Sequence, residues 1–361
     1  MNAGDQQEAT AARQPVEADD ARPILIVPYM WVGDFVRCHT SVRLLNARFP
    51  SRPVDMLTTP RTMPLIDYMP GVRKGIVSDL PRGRLALGRQ WRLARELREQ
   101  HYGTVLVMPR TWKSALAPFL AAIPQRTGFF GEGRILLLND MRLGERKLQR
   151  MIDRKVALTL PKGAPLPASY PLPNLVVPAA EVAAWRARRA PDDRNVVALC
   201  PATVGPGRRW PARRYGELAR SLAAEGVAVW VLGSLDDSPL AAEIAQVGGA
   251  AVRDLTGPDL RDAVLAVTAA DAVVANDSGL LHVAAAVGAR AIGIFGPSRP
   301  DLTGPLNPLA AAIEPSVAAC TTCGRRDCTR LEHRRTEDIP LEPVLAAVRA
   351  TLAQAATLAA H

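Results

Sequence analysis

The sequence predicts an α/β protein made of two Rossmann-like halves that face each other across a cleft. Three observations carry this. Short apolar runs alternate with longer amphipathic stretches, the pattern of a parallel sheet wrapped by helices. The series occurs twice along the chain. Between the two lies an interval punctuated by Pro161, Pro165, Pro167, Pro171 and Pro173, as in a linker or crossover.

Residues 1–21 read as a flexible acidic leader, with Asp5, Glu8, Glu17, Asp19 and Asp20, no apolar periodicity and no signal-peptide h-region. Residues 22–180 make the first half. Residues 24–27 (Ile-Leu-Ile-Val) are a buried strand, Gly33-Asp34 a turn, and 36–49 an amphipathic helix. Strands follow at 54–57 and 71–77. Residues 85–99 form a helix with a basic face of Arg89, Arg92, Arg95 and Arg98; 104–108 is a strand and 114–122 a helix. The periodicity then weakens from about 139 to 178. Residues 181–361 make the second half. Its strands are expected at 195–200, 227–232, 251–255, 272–275 and 290–295, its helices at 211–225, 239–247, 260–270, 280–287 and 341–358. Ligands of such sheets bind at the carboxyl ends of the strands, here on the cleft.

Composition narrows the partners. Hydrophobic residues make up 48% and charged residues 22%, which excludes a disordered or coiled-coil chain. No apolar run approaches the ~20 residues of a membrane span, so a cytoplasmic protein is expected. Five cysteines do not make a disulfide scaffold. The formal charge is +10 and is carried mostly by arginine, which suits anionic partners. A coding bias would explain arginine over lysine, but not the excess over acids. Aromatic residues are only 5%, against a nucleic-acid binder that stacks bases. The absence of G-x-G-x-x-G disfavours an NAD dehydrogenase. The absence of D-x-D disfavours the single-domain sugar transferases that hold a metal with it.

Four segments can carry chemistry, each with a plainer alternative. Asp34 follows the first strand and is placed like a general base; it could equally be an N-cap. Asn276-Asp277-Ser278-Gly279-Leu280-Leu281-His282 joins a strand to a helix whose free N–H groups would bind phosphate. There the alternative is capping by Asp277 or Ser278, with His282 in the core. The loop from Pro201 to Pro211, with Thr203, Arg208 and Arg209 among its glycines, suits a diphosphate or is an ordinary turn. Cys320, Cys323, Cys328 and His333 have a spacing that would suit zinc, or form a cysteine-bearing loop without metal.

Taken together the segments resemble glycosyltransferase family 9, the bacterial lipopolysaccharide heptosyltransferases, and within it the second-transferase type. The carriers are Trp31-Val32-Gly33-Asp34, Lys113-Ser114-Ala115-Leu116, Ile123-Pro124-Gln125-Arg126-Thr127-Gly128, Leu138-Asn139-Asp140-Met141-Arg142, Arg209-Trp210-Pro211, the run from Asn276 to Ala286, and Gly296-Pro297-Ser298. The resemblance implies a two-domain GT-B fold. It implies inverting transfer of L-glycero-D-manno-heptose from ADP-heptose to the inner core of lipopolysaccharide, with no obligatory metal or cofactor. It places Asp34 as the base, and Thr203, Arg208, Asp277, Ser278, Gly279 and His282 on the donor; Lys113 and Arg126 fall on the acceptor side. The implied acceptor is a lipid A–Kdo–heptose glycolipid at the cytoplasmic face of the inner membrane, where the chain would sit peripherally. The basic helix at 85–99, with Arg73, Lys74 and Arg84, would then meet that surface. Arg208 departs from the family's usual lysine, and the cysteine loop lacks a fourth cysteine near Thr336. A catalytically inactive binding or regulatory protein of the same fold is the competing reading, as is a transferase of another core sugar.

Overall fold

The computed structural model describes residues 21–81, 84–190, 195–205, 207–315 and 335–359. The acidic leader to residue 20 and the loop bearing Cys320, Cys323, Cys328 and His333 lie outside the described residues.

The first half runs β1 (Ile24–Val27), α1 (Val32–Arg37), α2 (His39–Arg48), β2 (Val54–Thr58), β3 (Val72–Val77), α3 (Leu87–Glu99), β4 (Thr104–Val107), α4 (Trp112–Leu120), β5 (Gln125–Phe129), β6 (Asp140–Arg142) and α5 (Met151–Thr159). The second runs α6 (Ala179–Arg189), β7 (Val196–Cys200), α7 (Ala212–Ala224), β8 (Ala228–Val231), α8 (Ser238–Gly248), β9 (Val252–Asp254), α9 (Leu260–Ala269), β10 (Ala272–Asn276), α10 (Gly279–Ala286), β11 (Ala291–Ile294), α11 (Pro300–Thr303), β12 (Ala311–Ile313) and α12 (Leu341–Ala359). All the strand pairs are parallel, in two six-stranded sheets ordered β3-β2-β1-β4-β5-β6 and β12-β11-β10-β7-β8-β9. In each sheet the strand order reverses beside the first strand of its half. That puts the switch points at β1/β4 and β7/β10, where doubly wound sheets open a crevice for ligands.

β1, β4, β7 and β10 are buried along their whole length, as mostly apolar runs in parallel sheets should be, and β2 is buried too, with its Asp55 paired to Arg73 and Tyr102. The structure departs from expectation in two places. The helix expected at 36–49 starts four residues earlier and breaks at Cys38 into α1 and α2. The weakly patterned interval holds β6, α5 and the proline-rich crossover; β5, just before it, is not among the expected strands either, and α6 follows. Arg126, Asp140 and Arg142 occupy half-buried positions of β5 and β6, so these short edge strands do not read as apolar runs.

The halves are not joined by linker alone. Val264, Val283 and Ala286 of the second half share one apolar cluster with Phe35, Leu65 and Leu158 of the first. Leu175, in the crossover, donates its N–H to Ala286 O at 2.8 Å, and Val176 donates to Tyr68 O at 2.8 Å. α1 lies directly against α10. A Cβ on Gly33 would meet His282 Cδ2 at 2.5 Å, and one on Gly279 would meet Val32 Cβ at 2.8 Å. Both glycines are needed for close approach, since any side chain would push the helices, and the halves, apart.

Candidate active site

The α1–α10 contact brings the two switch points together, and the polar groups gather around it. Trp31, with extended backbone, is the N-cap of α1, and its carbonyl accepts the Phe35 N–H at 2.8 Å. Asp34 is therefore not the cap; it sits inside the first turn with its carboxylate free for other partners. Lys155 Nζ, from α5, lies 3.1 Å from Asp34 Oδ1, and Arg37 Nη1 lies 3.4 Å from the same oxygen. Oδ2 has no partner among the described residues. Burial pushes the Asp34 carboxyl up, but the Lys155 and Arg37 cations outweigh it and hold the group below the ordinary carboxylate value. One oxygen is anchored and the other can accept a proton from a hydroxyl.

Arg37 carries the network across to the second half. Its Nη2 lies 2.7 Å from His282 Nε2 and also donates to the Thr303 carbonyl. An arginine can only donate, so Nε2 is the acceptor and the imidazole proton is on Nδ1. Burial, and then the charge of Arg37, push His282 down to about 4, so the ring is neutral at physiological pH. Asp277 Oδ1 is 3.8 Å from Nε2, beyond hydrogen-bond range.

The donor-side residues expected from the sequence converge. Arg208 Nη2 pairs with Asp277 Oδ2, and Thr203 Oγ1 donates to the Asp277 carbonyl at 2.8 Å. Asn276 fixes the loop after β7 to the end of β10: its Nδ2 donates to Pro201 O at 2.6 Å and its Oδ1 accepts the Trp210 N–H at 3.1 Å. Burial raises the Asp277 carboxyl, but the Arg208 cation paired with it more than offsets this, and the group lies well below its ordinary value. Ser278 is the N-cap residue of α10, yet its side chain caps nothing. Ser278 Oγ, Ser298 Oγ and Arg208 Nε are buried without a hydrogen-bond partner. Buried polar groups are rarely left so, and here they lie together at a helix start, where N–H groups and the helix dipole favour an anion.

Lys113 stands in the first turn of α4, its carbonyl accepting from Gln90 at 3.2 Å. Arg126 donates to the carbonyls of Leu137 at 2.8 Å and Ile123 at 2.5 Å. Neither joins the side chains around Asp34. Sequence reasoning missed Lys155, Arg37, Ser298 and Thr303. Lys155 had a signal: it occupies the buried stripe Ile152, Lys155, Val156, Thr159 of α5, where an unpartnered lysine would be costly. No cluster of His, Cys, Asp or Glu able to hold a metal occurs among the described residues.

Comparisons with known proteins bear on the family and the fold. Residues 90–333 match the family model described as glycosyltransferase family 9 (heptosyltransferase). The chain is 36% identical over 344 residues to lipopolysaccharide heptosyltransferase 2 of Escherichia coli K12, covering 92% of this chain and 99% of that one. It is 37% identical over 305 residues to lipooligosaccharide heptosyltransferase 2 of Haemophilus influenzae, covering 80% of this chain and 88% of the relative. The solved structure of E. coli ADP-heptose LPS heptosyltransferase II superposes with a TM-score of 0.81 at 33% identity, over 92% of this chain and 99% of that one. With the two-sheet architecture and these matches in agreement, the chain belongs to glycosyltransferase family 9, the heptosyltransferases.

Proposed function

We propose that the protein transfers L-glycero-D-manno-heptose from ADP-heptose to a heptose of the lipopolysaccharide inner core, with inversion at the anomeric carbon and without a metal or other cofactor. The relatives named as heptosyltransferase 2, matched over nearly their whole length, support this donor and acceptor. The observation that carries the chemistry is Asp34, with Oδ1 held by Lys155 and Arg37 and Oδ2 unpartnered, beside a helix start with unpaired polar groups.

In this reading residues 22–180 bind the acceptor and residues 181–361 bind the donor. Asp34 Oδ2 takes the proton of the acceptor hydroxyl as its oxygen attacks the anomeric carbon. The bond to the ADP oxygen breaks on the opposite face. Charge growing on the leaving diphosphate is met by Arg208, the α10 start at Ser278-Gly279 and the Thr203 and Ser278 hydroxyls. Asp277 holds Arg208 in place until the donor arrives, and neutral His282 shields the carboxylates from each other. The acceptor, lipid A–Kdo–heptose, is anchored at the cytoplasmic face of the inner membrane, and the protein works there peripherally, with no nucleic acid involved. No helix among the described residues is long and apolar enough to cross a membrane.

The test is ADP release by the purified protein with ADP-heptose and heptosyl-Kdo-lipid A, with mass spectrometry of the product. A gain of one heptose, lost in Asp34→Asn, is expected. Tight ADP-heptose binding with no transfer would leave the inactive-binder reading standing instead.

A further inference from the structure

The loop between β5 and β6 presents apolar side chains to solvent in a way the transferase chemistry does not require. Phe130 is 44% exposed, Ile135 58%, Leu136 84% and Leu143 74%. Phe130, which opens the loop, and Leu143, just past β6, are brought side by side because the Phe130 N–H donates to Arg142 O at 2.8 Å. The tip is also held from beneath. Arg134 is buried, and its guanidinium donates to Phe129 O at 3.1 Å and to the Pro109 carbonyl. A fixed turn over a buried arginine leaves Ile135 and Leu136 no way to fold inward. Glu132, the tip's acid, has Oε2 turned to the Trp112 N–H at 3.1 Å.

Beside the tip the chain continues through Arg146, Lys147 and Arg150, all exposed. Arg150 and Ile152 then line an open cavity between the halves, whose other walls are Pro300 to Leu302 and Gly304 to Leu306. The cavity reaches Arg37, and thus lies one side chain from Asp34. Phe130 and Leu143 follow the carboxyl ends of β5 and β6, the same sheet edge as Asp34, and Ile135 and Leu136 stand in the crossover that starts there. Aliphatic tips with a cationic rim suit the interfacial layer of an anionic bilayer, where chains bury and basic groups meet headgroups. The basic face of α3 is a poorer candidate. Arg89 pairs with Asp79 at 3.4 Å, Glu96 and Glu99 interrupt the arginines, and Arg73 is held by Asp55 at 2.9 Å.

We propose that Phe130, Ile135, Leu136 and Leu143, rimmed by Arg146, Lys147 and Arg150, insert into an anionic membrane surface and set the mouth of the interdomain cavity upon it. This replaces the basic helix as the docking face, and it rests on the reading that the acceptor is lipid-anchored. A glycolipid headgroup would then pass from the bilayer, along Arg150 and Ile152, to Asp34 without leaving the protein.

The experiment is co-sedimentation of the full chain with vesicles of phosphatidylcholine, alone or mixed with phosphatidylglycerol, over a salt series. Ile135→Ser, Leu136→Ser and Leu143→Ser combined should lower partition onto the mixed vesicles by at least ~tenfold, since each removes apolar area that the bilayer would cover. Arg146→Glu with Lys147→Glu should lower it by roughly fivefold or more per position at low salt, the difference closing at high salt. Both variants should keep wild-type melting curves, ADP-heptose affinity and turnover of a delipidated soluble acceptor, while KM for acceptor in vesicles rises. Wild-type partition in the triple serine variant overturns the proposal, as does loss of binding in Arg89→Glu, Arg92→Glu, Arg95→Glu with the tip intact. Equal partition onto vesicles lacking phosphatidylglycerol also overturns it. Failure of the transferase reading is separate: it would show as absent heptose transfer, whatever the vesicles do.

Discussion

Replacing Lys155 by Met separates the electrostatic role of this residue from its volume. Lys155 is 2% exposed and its Nζ is 3.1 Å from Asp34 Oδ1, while Arg37 is farther, at 3.4 Å. A cation this close favours the ionised carboxylate and lowers its pKa. Burial acts in the other direction and remains when the lysine is gone. In the native protein the carboxyl lies below the ordinary ~3.9, so the acid limb of kcat/KM falls below the working range. In Lys155→Met that limb should move up, because the burial that raises the carboxyl remains while the larger of the two opposing cations is gone. ADP release measured from pH 4.5 to 9 would then show the variant weak at the acid end and recovering at the alkaline end, where Asp34 is again ionised. The same logic fixes the stability change. A depressed folded-state carboxyl adds stability above its unfolded value, and that stability is lost as pH falls through the folded one. The variant should therefore lose more stability in neutral solution than in acid. An acid limb that stays put, with activity reduced equally at every pH, would refute the pairing as the source of Asp34 ionisation.

Other expectations are equally direct. Asp34→Asn keeps the shape and loses the proton acceptor; kcat should fall at least ~10²-fold with ADP affinity unchanged, as read by calorimetry and ADP release. Arg208→Ala removes a charge-assisted bond of ~1.5–3 kcal/mol, so donor affinity should fall roughly tenfold or more while acceptor KM holds. Gly279→Ala places a Cβ 2.8 Å from Val32 Cβ. At an overpacking cost of ~1–3 kcal/mol, Tm should drop by several degrees and activity should suffer from the displaced halves. His282 is pushed down to about 4 by burial and Arg37, so the unfolded chain binds the extra proton at intermediate pH. Stability should be full above ~6.5 and fall as pH drops, by about 2 kcal/mol between pH 7 and 5. Denaturant titrations of His282→Gln should show that part of the acid sensitivity missing.

The fold was legible where local pattern and burial agree. The strand ends at Val27 and Cys200 could be read from apolar runs followed by Pro, and the strand expected to end at 275 runs one residue further, to Asn276, because a parallel strand buried on both faces reads as a mostly apolar run. The base candidate and the donor-side residues lie on the turns leaving those strands, and so were named with them. What failed to show is where polar residues sit in buried or edge positions. Arg126 and Asp140 dilute β5 and β6, and Lys155 breaks the apolar stripe of α5, so β5 went unread and β6 and α5 sank into the weak interval from about 139 to 178. In α5 one residue caused both losses, hiding the helix and the partner of Asp34 together.

By itself the sequence determined two doubly wound halves, the turns that carry Asp34, Thr203, Arg208 and Asp277, and the excess of arginine. Only the tertiary structure decided which groups meet. Asp34 and Lys155 are 121 positions apart, and Arg37 and His282 are 245 apart. Neither separation leaves a periodic trace: the first contact forms when α5 packs within the first half, and the second exists only after the halves dock through Gly33 and Gly279. The same docking decides that His282 is neutral. A sequence fixes what each turn can offer locally, whereas burial, charge pairing and pKa depend on the field of neighbours that packing brings within a few ångströms.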